Sequence, residues 1–86
     1  MPYIKQDDRR KFGGIICDID KLTSEMKAGD LNFLITSIVH RYIESHGLSY
    51  GTINEVIGVL ECAKLELYRR KAVPYEKLKI EENGDV

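Results

Sequence analysis

A chain of 86 residues with a formal net charge of −1, 43% hydrophobic and 31% charged, is too apolar to be disordered and too nearly neutral to be a general polyanion binder. That length holds one domain, residues 1–86, which buries only about 60 to 65% of its unfolded surface, so self-association is an easy supplement to its core. Nothing approaches the roughly 20 apolar residues of a membrane span, and residues 1–11 lack a signal-peptide core, so a cytoplasmic protein with no membrane partner is expected.

Asp7 or Asp8 can cap a first helix over about residues 7–27, with Phe12, Ile15, Ile16, Ile19, Leu22 and Met26 in one narrow stripe. Gly13 and Gly14 fall outside that stripe and weaken the helix by roughly 1 kcal/mol each relative to alanine. The first helix therefore reads as peripheral. Ala28 and Gly29 end it, and Asp30 is a good N-cap for a second helix over about residues 30–46, which reads Leu31, Leu34, Ile35, Ile38, Val39, Tyr42 and Ile43 on its buried side. Gly47 stops that helix, and Leu48 is positioned for the hydrophobic contact of a Schellman-type end.

Either Ser49 or Thr52 can cap a third helix, about residues 52–72. The short link makes the second and third helices an antiparallel hairpin, with Val39 near Leu60 and Leu31 near Leu67. On the third helix Ile53, Val56, Ile57, Val59, Leu60, Ala63, Leu67 and Tyr68 fill about half the circumference, against the roughly 100° stripe that a surface helix needs. One neighbour cannot cover such an arc. Pro74 ends or sharply bends this helix, because it lacks an amide proton and biases Val73 away from helical angles. Residues 75–80 then form an extra turn and residues 81–86 a loose tail. Strand signals are nearly absent, so the expected fold is all-α: a small three-helix bundle built on an antiparallel helical hairpin, with a short extra C-terminal turn.

Little in the chain marks chemistry. Cys17 and Cys62 form no CxxC pair and read as reduced thiols acting as small apolar residues. His40 and His46 lie on different faces of one helix, so no metal site is expected. A magnesium-dependent helical hydrolase needs carboxylates three or four residues apart, whereas Glu55, Glu61 and Glu66 are spaced by six and five, and Asp18 and Asp20 by two. No serine or cysteine is marked as activated. The expectation is a protein that is not an enzyme and needs no cofactor.

Two polar features remain. Asn32, Thr36 and His40 follow one another at intervals of four, and Asn54, Glu61 and Tyr68 at intervals of seven; they could face each other as a polar network, although solvated edge positions are the favoured account. Phe33, off its helix's main stripe, hints at a contact surface. Tyr68, Arg69, Arg70 and Lys71, with Lys64 a turn or two earlier, could contact phosphates or stack on bases. The plainer account is that cations in a last turn complement the helix dipole, with Lys64 snorkelling from the apolar arc.

Several segments carry a likeness: Gly29-Asp30-Leu31-Asn32-Phe33-Leu34-Ile35-Thr36, the continuous run from Leu48 to Arg70, Pro74-Tyr75-Glu76, and Asn83-Gly84-Asp85-Val86. Over nearly the whole chain the sequence resembles a small family of bacteria and their phages with no assigned activity. The resemblance implies a compact, phage-associated protein and carries no catalytic residue across. The leading expectation is a helical interaction or adaptor protein without catalysis, a homo-oligomer with a dimer favoured, binding a protein partner of unknown identity. The alternative is a nucleic-acid accessory factor using residues 68–71 with Arg9, Arg10 and Lys11. A small-molecule pocket or hydrolase around Asn32, His40, Asn54 and Glu61 ranks third.

Overall fold

Local hydrogen bonding accounts for most of this molecule, which a computed structural model describes over residues 3–86. A 3-10 helix, Gln6–Phe12, passes directly into α1, Gly13–Thr23. α2 spans Ala28–His46, α3 Tyr50–Leu67 and α4 Val73–Asn83, with a π-helical turn, Tyr68–Ala72, joining the last two. The fold is all-α, with no strand among the described residues. The chain divides into two units, one ending at Ser37 and the other beginning at Ile38 inside α2.

In the first unit the caps differ from expectation. Lys5 holds the N-cap of the 3-10 helix without a side-chain bond, and Asp7 and Asp8 lie in its first turn, Asp7 meeting Arg10 at 3.8 Å. α1 stops at Thr23 rather than near residue 27. The backbone tightens there, with Glu25 and Met26 donating to the carbonyls of Leu22 and Thr23, and the Thr23 hydroxyl donates to the Asp20 carbonyl. Ala28 and Gly29 are not a break but the first turn of α2. Asp30 sits third in that helix, and its carboxylate accepts from the Lys27 amide at 2.9 Å, which is the backward half of a capping box.

The second unit begins with the last turns of α2. Gly47 ends this helix with φ of +90° while its amide donates to the Ile43 carbonyl at 2.8 Å, a left-handed closure that glycine adopts without strain. Leu48 is 79% exposed, so the hydrophobic contact of a Schellman end is not made. Ser49 is the cap of α3: its extended backbone turns its hydroxyl onto the Thr52 amide at 3.1 Å. Across this turn the Tyr42 hydroxyl donates to Glu55 at 3.0 Å, and Thr52 and Val56 are buried.

Burial of apolar side chains on α3 goes no further than Val56. Leu60 remains 40% exposed and Leu67 63%, and α2 and α3 do not pack along their lengths beyond the turn, so the expected pairing of Val39 with Leu60 is not formed. Leu31, which the same expectation sets beside Leu67, belongs to the other unit and is itself exposed.

Pro74 does not end the third helix. A proline inside an α-helix has no amide to donate, and its ring collides with the carbonyl four residues back, here that of Arg70. The π-turn removes the conflict by widening the preceding turn, and the Val73 amide donates five residues back, to the Tyr68 carbonyl. The helical path then continues to Asn83, where Gly84, at φ of +83°, closes it onto the Ile80 carbonyl. Only residues 84–86 remain of the loose tail.

Two glycines predict opposite responses to the same substitution. A Cβ on either Gly47 or Gly58 would meet open space, so backbone conformation alone decides. Gly58→Ala, within α3, stabilises by about 1 kcal/mol, whereas Gly47→Ala, at positive φ, destabilises by about 1 kcal/mol. Urea unfolding followed by circular dichroism reads both signs.

Candidate functional site

The densest polar structure lies around the π-turn. Glu66, two residues before it, is the one buried ionisable side chain among the described residues, with 7% of its surface exposed. Arg69 donates to its Oε2 at 2.7 Å, and Arg70 meets Oε1 in an ion pair that is not a well-aligned hydrogen bond. Spacings of three and four residues place both guanidinium groups over one carboxylate on the same helix face. The Arg69 hydrogen bond, with the charge of Arg70 adding to it and burial opposing, holds the Glu66 carboxyl below its ordinary value.

Beyond the clamp, the Tyr68 hydroxyl reaches forward to Glu76 at 3.1 Å, bridging the π-turn. That hydrogen bond, helped by the negative charge it points to, raises the Tyr68 phenol above its ordinary pKa. Beside the bridge runs an open groove along a single helix face, lined by Lys64, Leu67, Tyr68, Lys71, Ala72 and Tyr75. Its lining is mainly apolar, with two aromatic rings and two ammonium groups at its margins. Lys64 holds Glu61 at 3.0 Å, and Lys79 lies 5.5 Å from the Tyr75 ring centre, a cation–π distance.

The residues singled out from sequence fall elsewhere than in one network. Thr36 donates to Asn32 at 3.0 Å, Glu61 pairs with Lys64, and Tyr68 bonds Glu76, so each of these finds a partner on its own helical run. Phe33 is 74% exposed, and His40 and Asn54 are exposed as well. Arg69 and Arg70 do not occupy a last turn, because the helical path continues through them; the acid that engages them is Glu66 rather than a helix terminus. Lys71 lies on the groove. Cys17 and Cys62 are free thiols and both are exposed, so neither acts as a packed apolar residue. Among the described residues no three acids, histidines or cysteines gather where a metal ion could be held.

Sequence reasoning missed Glu66 and Glu76 as partners. The signal was present in the spacing of three and four from Glu66 to Arg69 and Arg70, whereas the eight residues from Tyr68 to Glu76 carry meaning only once the helix is known to pass Pro74.

A family comparison matches the chain over residues 1–86. The chain belongs to the family described as a domain of unknown function, DUF6899. No curated protein and no solved structure matches it. Among the described residues no helix is long and apolar enough to cross a membrane.

The Glu66 clamp predicts an acid limb of stability. A carboxyl whose folded pKa lies below its unfolded value contributes stability that is fully present above the unfolded value and is lost as pH falls through the folded one. Glu66→Gln lowers the thermal midpoint at pH 7 and flattens its decline below about pH 4.5, the ordinary range of glutamate. An unchanged midpoint at pH 7 would mean that the clamp contributes nothing.

Proposed function

We propose that this chain is a non-catalytic helical interaction protein that works as a homodimer, with the bare face of α3 as its contact surface. The observation that carries this reading is the limit of burial at Val56, beyond which Ile57, Val59, Leu60, Leu65 and Leu67 all remain substantially exposed. Ordering the backbone costs about 1 to 2 kcal/mol per residue, and a chain this small that buries so few aliphatic side chains has little to offset that cost unless another chain covers it. Soluble monomers rarely leave contiguous apolar patches larger than a few hundred Å². Oligomerisation is one of the usual supplements for small folds.

Exposure of Asn32, His40, Asn54 and Glu61 weighs against an enclosed pocket. A nucleic-acid role is the weaker reading, since Glu66 engages two of the four cations on which it would depend. The two free, exposed thiols fit a reducing compartment, and we place the protein in the cytoplasm on that basis.

Size-exclusion chromatography with light scattering tests the reading. The wild-type chain runs at twice its 9.9 kDa mass at micromolar concentration, and Leu60→Asp, which sets a charge on the proposed contact face, runs as a monomer with reduced helicity. A wild-type mass of one chain would remove self-association, and a dimeric, unchanged variant would remove Leu60 from the contact.

A further inference from the structure

The π-turn does more than spare Pro74, because it also resets which residues share a face. A π-turn holds one residue more than an α-turn, so eight residues rather than seven bring the helix from Leu67 back to the same side, and the residue that arrives there is Tyr75. Both side chains line one groove with Ala72 between them. Without the extra residue the same face would meet Pro74. The face that runs through Ile57, Leu60 and Leu67 on α3 thus reaches Tyr75 on α4.

Charges on and beside this face follow a repeated order: Glu61 then Lys64 before the π-turn, and Glu76 then Lys79 after it, each base three residues after its acid. Two such helices running parallel and in register would set Lys64 against Lys64 and Glu76 against Glu76, and like charges in contact oppose association. Running antiparallel, with the crossing at Arg70, they set Lys64 against Glu76 of the second copy and Glu61 against its Lys79. One midpoint satisfies both pairs; it also sets Arg70 against Arg70 and Lys71 against Arg69, where Glu66 of each copy already engages the arginines. The same register places Leu60 beside Ile80 of the second copy and the Tyr68 ring beside its Ala72, a large side chain against a small one. Within one chain Lys64 pairs with Glu61, Lys79 with Glu82, and Glu76 accepts from the Tyr68 hydroxyl; Glu61, Lys64, Glu76 and Lys79 are all exposed, so exchange to a second copy requires no unburying.

We infer that the face running through the π-turn receives the same face of a second copy in antiparallel register centred on Arg70, with Lys64 of each copy paired to Glu76 of the other. Such a contact is isologous: two-fold symmetry makes each pair twice. This inference rests on the self-association proposed above and adds its direction and register.

Sedimentation of the full chain at low salt, where exposed ion pairs are least screened, provides the test. Lys64→Glu and Glu76→Lys each weaken the dimer about tenfold, since each reversal makes two like-charge contacts, and the double variant returns to within about threefold of wild type. Positions 64 and 76 lie about 18 Å apart along one helix, so the recovery cannot arise within a chain. Circular dichroism identifies any variant that fails to fold. For that case, Lys64→Cys and Glu76→Cys chains on a Cys17→Ser, Cys62→Ser background form a mixed disulfide when combined and little disulfide separately. A dimeric wild type whose double variant is no better than the singles, with no mixed disulfide, would overturn the register and leave self-association standing. A monomeric wild type would overturn both.

Discussion

An amide proton that Pro74 does not have shapes the second unit of this protein. In a plain α-helix the missing donor and the ring's collision with the Arg70 carbonyl would break or kink the run at that point. The π-turn, Tyr68–Ala72, accepts one extra residue and lets Val73 bond to Tyr68, so α3 and α4 become one helical path closed only at Gly84. Other features around it depend on this continuity. The Tyr68 bond to Glu76 spans the turn, and the groove from Lys64 to Tyr75 needs both sides of it.

What could be read from the sequence follows the range of the interactions concerned. The Gly47 stop and the Ser49 cap depend on two or three neighbouring residues, and both are present. The all-helical class follows from periodicity summed over many positions. Asp30 was legible as a capping residue but not as the third residue of α2, because a carboxylate that reaches back to Lys27 and one that caps its own helix look alike in one dimension. Pro74 misleads for a related reason: its local rule is sound, yet a shift of one residue upstream satisfies that rule without ending the helix. The candidate site was legible only as residue types. Tyr68, Arg69 and Arg70 drew notice, while the acids that engage them, Glu66 and Glu76, did not.

The width of the apolar arc on α3 has a meaning that helix pairing alone does not explain. In the second unit the turn at Gly47 serves only the first part of α3, where Thr52 and Val56 are buried and Tyr42 bonds Glu55. The remainder of the arc lies toward the π-turn, where apolar side chains alternate with Lys64 and Lys71. Such a mixture is unsuited to a monomer core, since a buried ammonium group without a partner is costly. It suits a contact between surfaces, in which lysine stems cover apolar area and their heads reach acids at the rim.

The Glu66 clamp bears on the same question from the side of charge. Four cations lie between Lys64 and Lys71, and without an acid among them the middle of the helix would carry a positive field that repels any like surface brought against it. Glu66 engages Arg69 and Arg70 together, and the lowered pKa of its carboxyl keeps that compensation in place well below neutral pH. The charges left to act near the groove are Lys64 and Lys71, together with the flanking acids Glu61 and Glu76. A surface of that composition discriminates by register more than by net attraction, because sliding one helix past another by a single turn exchanges opposite charges for like ones. The acid that neutralises the arginines thereby leaves the alternating pairs to choose the orientation.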